Sequence, residues 1–307
     1  MRIAVVGAGG VGGAYGAVLA AAGADVTFIA RGAHLEAMKS RGLRLESPRG
    51  DIHLAPTRAT DDPRTVGPVD VVLFCVKLWD VESAGEAIRP MVGKDTAVIP
   101  LQNGVDAADR LMPILGRQAM MGGVAVISAT IAEPGVIRQT GTVMRMVFGE
   151  LDGTKSARGE AFAALCVKAG IDGVLSTAIQ TELWMKFILL ASNASIMALA
   201  RLPVGKLRDD PDIAPWFTTA YEEVEAVGRA AGVALPADAV ERILNFNRTA
   251  PPHLIPSMAV DLLRGNRIEL PWLSGKVVEL GREHGVPTPT HAFMYATLKP
   301  YIMGKPS

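Results

Sequence analysis

Residues 2–12 read Arg2-Ile3-Ala4-Val5-Val6-Gly7-Ala8-Gly9-Gly10-Val11-Gly12, a short β-branched run passing directly into a GxGxxG turn, and an apolar stretch of small side chains continues to Ala22. Strand, glycine turn and helix in that order open a βαβ unit. Gly7 permits the tight turn, Gly9 lets backbone amides approach a pyrophosphate, and Gly12 allows the helix to pack close. Ala8, Gly10 and Val11 complete the loop, and the helix N-terminus then faces the phosphates. Glycine-rich turns are common, so the motif alone is weak. Its position between a strand and a helix points to a nucleotide.

Outward from this turn, β-branched runs alternate with amphipathic stretches, as in a parallel sheet with crossover helices. Strands are expected at 2–6, 25–30, 70–76 and 96–100. Residues 42–58 hold two short extended runs around Pro48 and Gly50 and read as an inserted hairpin. From 119 to 150, extended segments are separated by Glu133-Pro134-Gly135 and by Thr140-Gly141. That is hairpin chemistry, so a mixed sheet is expected to finish the first domain. After Ser176 strand signals largely vanish. Residues 178–200, 212–231, 237–246, 257–263 and 271–284 read as helices, broken at Pro203, Gly232, Pro236, Pro251-Pro252 and Gly285-Val286-Pro287. The expected class is α/β: an N-terminal Rossmann domain over 1–177, its mostly parallel sheet carrying added antiparallel strands, and a C-terminal all-helical domain over 178–307.

A chain of 307 residues suits two cores rather than one. Its 31 basic residues cancel its 31 acidic ones, which argues against nucleic acid or an anionic membrane as partner. Cys75 and Cys166 are too far apart in sequence to suggest a disulfide framework or a metal motif, and a reducing, cytoplasmic location is expected. His34, His53, His253, His284 and His291 never recur at metal-ligand spacing, so no metal site is expected and all five read as surface or loop residues. Glycines interrupt the first apolar run, which excludes a cleavable signal segment there. The stretch 187–200 is broken by Ser192, Asn193 and Ser195 and falls short of the ~20 residues of a membrane span, so it reads as a buried helix.

At the end of the second strand, where an NAD enzyme usually offers an acid to the ribose, Ala30-Arg31-Gly32 stands instead, and Asp25 comes about five residues too early. Arg31 suits the 2′-phosphate of NADPH, although a solvated surface arginine would look the same. Ligands of open α/β sheets lie outside the carboxyl ends of the strands, which singles out Lys77 and Asn103. Alone, Lys77 reads as a solvated lysine and Asn103 as the cap of a helix beginning at Gly104. In the second domain, Lys186 lies within Glu182-Leu183-Trp184-Met185-Lys186-Phe187-Ile188-Leu189-Leu190. Apolar neighbours lower a lysine pKa and make it a usable proton donor near neutrality. A lysine snorkelling from a core helix is the competing reading.

Taken together, GAGGVG, Arg31, Lys77, Gln102-Asn103-Gly104, Glu182-Leu183-Trp184 with Lys186, Leu202-Pro203-x-Gly205, and Ser257 followed by Asp261 and Glu269 resemble the ketopantoate reductase family. The resemblance implies NADPH-dependent reduction of 2-dehydropantoate to pantoate in pantothenate biosynthesis, with the active site between a Rossmann and a helical domain. It implies Lys186 as proton donor and substrate ligand, Asn103 as touching nicotinamide and substrate, and Lys77 on the cofactor side. Arg31 would take the 2′-phosphate, Ser257 would bind substrate, and Glu269 would stand near the nicotinamide. Ser257 read alone is an N-cap, and Glu269 a solvated charge. Two positions depart from the pattern: Leu190 and Arg201 stand where the family usually has asparagine. Asn193, seven residues after Lys186 and on the same helical face, is then a candidate substrate ligand. The alternatives are a reductase of another 2-keto acid and a non-catalytic NADP(H)-binding redox sensor. The sensor reading expects the proton donor to be lost, yet Lys186, Asn103 and Glu269 are all present. The expected partner is a small 2-keto acid, and a homodimer is compatible with the reading.

Overall fold

The computed structural model describes residues 1–306, which form two compact units. Residues 1–102 and 106–179 make the first, and residues 103–105 with 180 onward make the second. The change of unit thus falls two residues beyond the expected position. The short loop Asn103–Val105 was not anticipated in the second unit.

In the first unit the chain runs β1 (Arg2–Val6), α1 (Gly10–Ala21), β2 (Asp25–Ile29), α2 (Gly32–Arg41), β3 (Leu43–Glu46), β4 (Ile52–Leu54), β5 (Ala59–Thr60) and β6 (Val69–Phe74). It continues through α3 (Val81–Ala87), β7 (Val92–Pro100), α4 (Ala107–Leu115), β8 (Met121–Glu133), β9 (Val136–Glu150), α5 (Ala157–Lys168) and β10 (Asp172–Leu175). Five parallel strands form one sheet in the order β5-β2-β1-β6-β7, with Ile3 between Val26 and Val71. From Ile3 to Val6, β1 is buried without interruption, as a strand covered on both faces must be.

The mixed sheet expected to finish the unit is present and stands as a second sheet beside the parallel one. The second has the order β10-β9-β3-β4, and β8 pairs antiparallel with β9. The inserted hairpin β3–β4 joins this second sheet, Leu45 lying beside Ile137. Pro134-Gly135 forms the turn between β8 and β9, as expected. Thr140-Gly141, however, does not separate strands. It lies inside β9, where the pairing with β8 shifts register and Gly141 takes φ 75°. A glycine within a strand accommodates such an irregularity without ending the strand.

Helix α1 packs against strands of both sheets, and its small residues let them come close. A Cβ on Gly10 would stand 2.1 Å from the carbonyl oxygen of Ala129 in β8, and one on Gly16 2.3 Å from the Phe28 ring in β2. Between them the fully buried Tyr15 donates its hydroxyl to the Arg145 carbonyl of β9 at 2.7 Å. A helix apolar all round is stable only when enclosed in this way.

The second unit comprises α6 (Ile179–Ala200), α7 (Ala214–Ala230), α8 (Ala239–Thr249), α9 (Ser257–Leu263), α10 (Ser274–His284) and α11 (Pro289–Leu298). By length and composition α6, with 22 residues and a mean hydropathy of 1.6, passes for a membrane span. Yet its Trp184, Phe187, Ile188, Ala191, Ala194 and Met197 are core residues, packed with Phe217, Tyr221 and Val224 of α7. It ends at Arg201, an exposed residue held at φ 57°. Glycine and asparagine adopt that left-handed conformation most easily, so position 201 is first a helix stop.

Helix α11 lies beyond the break at Gly285-Val286-Pro287 and is not among the expected helices. Pro289 occupies its first turn, where the missing N–H costs nothing. The Glu223 carboxylate accepts from the N–H groups of Thr290 at 2.8 Å and His291 at 3.0 Å, capping the helix.

This helix also overturns the reading of His291 as a surface residue: its side chain is fully buried. His291 Nε2 lies 3.1 Å from the Ala220 carbonyl, which can only accept, so Nδ1 at 3.0 Å accepts from the Ser274 hydroxyl. Ser195 lies 2.7 Å from Ser274 and extends the chain to α6. Burial holds the imidazole at about 4 against an ordinary 6.5. Between those values the unfolded chain takes up a proton that the folded chain refuses, so stability falls as pH drops through 6.5. By pH 5 the loss is about 2 kcal/mol. Urea midpoints at pH 7 and pH 5 should show that extra loss in the wild type and not in His291→Gln. Equal pH slopes in the two proteins would refute a buried neutral histidine.

Candidate active site

At the nucleotide end, Gly7 has φ 91°, and a Cβ there would stand 2.8 Å from the Cys75 carbonyl carbon, so no other residue suits the turn. Gly12 is equally confined, 2.3 Å from the Gly7 carbonyl oxygen. The N–H groups of Gly7 and Ala8 are spent on the Ile29 carbonyl, at 3.1 and 3.3 Å, tying the loop to β2. Those of Gly10, Val11 and Gly12 head α1, where helical geometry provides no intrahelical acceptor and Gly9 no side-chain cap. Gly9 itself has an ordinary extended φ of −71°, and a Cβ there would meet nothing within 4 Å. Neither backbone strain nor packing explains glycine at this position. A ligand passing close over it does, and the residues present fit a dinucleotide pyrophosphate.

Two side chains that sequence reasoning missed brace this region, His34 at the glycine loop and Gln102 at the strand ends. His34 Nε2 donates to the Ala8 carbonyl at 2.9 Å while Nδ1 accepts from Gly135 N–H at 3.0 Å, tying the loop to the β8–β9 turn. Burial holds the His34 ring below its ordinary pKa. The buried Gln102 amide donates to the carbonyls of Phe74 at 3.0 Å and Val76 at 3.1 Å, joining the ends of β6 and β7. Nothing in local periodicity distinguishes a bracing histidine or glutamine from a solvated one.

Arg31 occupies the N-cap position of α2 without a side-chain capping bond, its side chain is 84% exposed, and its Nη2 lies 2.9 Å from Asp80 Oδ2. Lys77 is exposed beyond the end of β6, its Nζ 5.6 Å from the centre of the Trp79 ring.

In the second unit, Lys186 is partly buried on α6 and Glu269 is 5% exposed, just before the turn Leu270–Trp272. Burial lowers the Lys186 ammonium from 10.5 to about 8, and the charge of Glu269 pulls the other way. Desolvation therefore wins, and the lysine can both hold and release a proton near neutrality. Asn103 is partly buried on the loop that groups with this unit. Val105 of that loop packs on the helical core, and Gly104, at φ 105°, brings its backbone close to the Trp272 carbonyl. Asn103 is not a helix cap, because α4 starts at Ala107 with Asp106 as N-cap.

Ser257 is exposed in the first turn of α9, where Pro256 is the N-cap, so the hydroxyl is not consumed as a cap. Asn193 departs from its expected role. It is 3% exposed, its Oδ1 accepts from Tyr221 and its Nδ2 donates to Asn247 Oδ1 at 3.1 Å. The amide is consumed inside the core, so it is a structural residue and not a substrate ligand. Helical phase placed it beside Lys186, but a deeper layer of the bundle claims it.

Residues 3–153 match the family model described as Ketopantoate reductase PanE/ApbA, and residues 178–301 match that of its C-terminal part. The 2-dehydropantoate 2-reductase of Mesorhizobium japonicum is 32% identical over 94% of either chain. That of Caulobacter vibrioides is 31% identical over 96% of this chain and 97% of its own. A solved PanE/ApbA family ketopantoate reductase from Ralstonia eutropha JMP134 superposes with a TM-score of 0.90 at 35% identity, covering 98% of both chains. Matches that run from residue 3 to residue 301, through both units, make this chain a member of the ketopantoate reductase family.

Proposed function

We propose that the chain reduces the keto group of 2-dehydropantoate, or of a close 2-keto acid, with NADPH in a reducing cytoplasm. The observation that carries the reading is Lys186, desolvated to about 8 yet coupled to the buried carboxylate of Glu269. Residues 7–12 with Arg31 and Lys77 would hold NADPH, which would supply the hydride. As the carbonyl carbon is reduced, its oxygen takes up charge, and the Lys186 ammonium stabilises that charge and hands over its proton. The neutral amine then recovers a proton from water. Glu269 keeps the lysine charged between turnovers, the Asn103 amide orients the nicotinamide and the substrate, and the Ser257 hydroxyl binds the substrate. A preserved proton donor also sets this reading above a non-catalytic sensor.

Leu190 favours a second substrate reading. It is partly exposed on α6, where it packs against the apolar cluster of the second unit. A substrate hydroxyl pressed against leucine loses water without gaining a partner, at ~1 to 3 kcal/mol. A 2-keto acid with an apolar distal end fits that surface better. Arg201, the other departure from the family pattern, is exposed and serves the helix stop.

Lys186→Ala should lower kcat by ~10³-fold with NADPH binding intact. Because the charged lysine is the active form, wild-type kcat should be level below pH 8 and fall tenfold per unit above it. A Lys186→Ala variant with near wild-type kcat would place the proton donor elsewhere. For the cofactor, Arg31→Ala should weaken NADPH binding by ~10 to 100-fold and leave NADH nearly unchanged. Unchanged NADPH affinity in that variant would remove Arg31 from the phosphate site. For the substrate, Leu190→Asn should raise kcat/KM for ketopantoate relative to the analogue lacking its hydroxyl. A wild type that already prefers ketopantoate by orders of magnitude would eliminate the apolar-tail reading.

A further inference from the structure

Asp80 places a carboxylate against the guanidinium assigned to the 2′-phosphate, so the two compete. Arg31 follows β2 and Asp80 follows β6, and these strands flank β1 in the sheet. Their ion pair, 2.9 Å from Nη2 to Oδ2, therefore links the loops on either side of the strand from which the glycine loop leaves. The arginine side chain is 84% exposed and the aspartate 26%. An exposed pair of this kind is weakly held, so a phosphate with its greater charge can draw Arg31 away.

Asp80 does not follow when Arg31 turns. Its backbone N–H donates to the Lys77 carbonyl at 2.9 Å, and its own carbonyl accepts from the Ser83 hydroxyl at 3.1 Å. The carboxylate then stays beside the bound phosphate and repels it. Toward a ribose with a free 2′-hydroxyl the same carboxylate is an acceptor, the service that an acid at the end of the second strand renders in NAD enzymes. Here the end of β2 carries Ala30-Arg31-Gly32 and no acid, and Asp80 brings one from the other side of β1.

We propose that Asp80 is a specificity-determining residue for the cofactor: it opposes the 2′-phosphate, accepts from a free 2′-hydroxyl, and holds the preference for NADPH to a modest factor. The inference rests on Arg31 being the phosphate ligand. Its test is a set of fluorescence titrations with NADPH and with NADH on the wild type, Asp80→Asn, Arg31→Ala and the double variant. Asp80→Asn removes the charge and keeps the shape at a surface position. It should tighten NADPH by about threefold to tenfold and weaken NADH, raising the selectivity ratio about tenfold. In the Arg31→Ala background the gain toward NADPH should shrink, as coupled neighbours require. A ratio that is unchanged or shifts toward NADH in Asp80→Asn overturns the inference. If Arg31→Ala weakens NADPH while Asp80→Asn leaves the ratio alone, only the inference falls. If Arg31→Ala leaves NADPH unchanged, the reading of Arg31 falls with it.

Discussion

The first unit depends on the close approach of helix α1 to two sheets. Ala129 of β8 lies where a side chain at position 10 would be, and the Phe28 ring of β2 lies where one at position 16 would be. Any larger residue would push a sheet away and loosen a core that includes Tyr15, Phe28 and Phe148. Interiors packed as densely as organic crystals do not absorb such a shift. The same helix begins with amides that lack intrahelical acceptors, directly after a Gly9 whose missing side chain leaves open space. The packing that fixes α1 therefore also fixes the direction in which those amides point.

A different balance governs the second unit. Helix α6 is apolar enough to be enclosed, and each of its polar residues has a separate destination. Asn193 joins Tyr221 and Asn247, Ser195 joins Ser274 and His291, and Lys186 is coupled to Glu269. Buried polar groups that are satisfied lock one arrangement of the helices, because leaving any of them unpaired is costly. Lys186 differs in that its burial is incomplete and its charge remains available near neutrality. The carboxylate of Glu269 keeps desolvation from silencing it.

Local pattern carried much of the architecture. The β-branched runs at 2–6, 25–30, 70–76 and 96–100 became β1, β2, β6 and β7, and the helical stretches after 178 became α6 to α10, each within a few residues. Motif and resemblance together led to the family. Where the reading erred, the deciding contact joins residues distant in the chain. Leu45 beside Ile137 makes a second sheet, and no periodicity of either strand reveals which sheet it will enter. Helix α11 beyond Pro287 escaped the reading, and the carboxylate that accepts from its first turn, Glu223, lies more than sixty residues earlier.

Side-chain roles divide along the same line. Glycine at 7, 9 and 12 and a lysine set among apolar neighbours are legible because backbone sterics and local hydrophobicity act over a few residues. That Asn193 would be consumed by Tyr221 and Asn247, that His291 would be buried without charge, and that Arg31 would meet Asp80 follow from helix packing and strand order. A polar side chain's chemistry belongs to its residue type. Its partner, and hence its role, depends on which distant element folds against it.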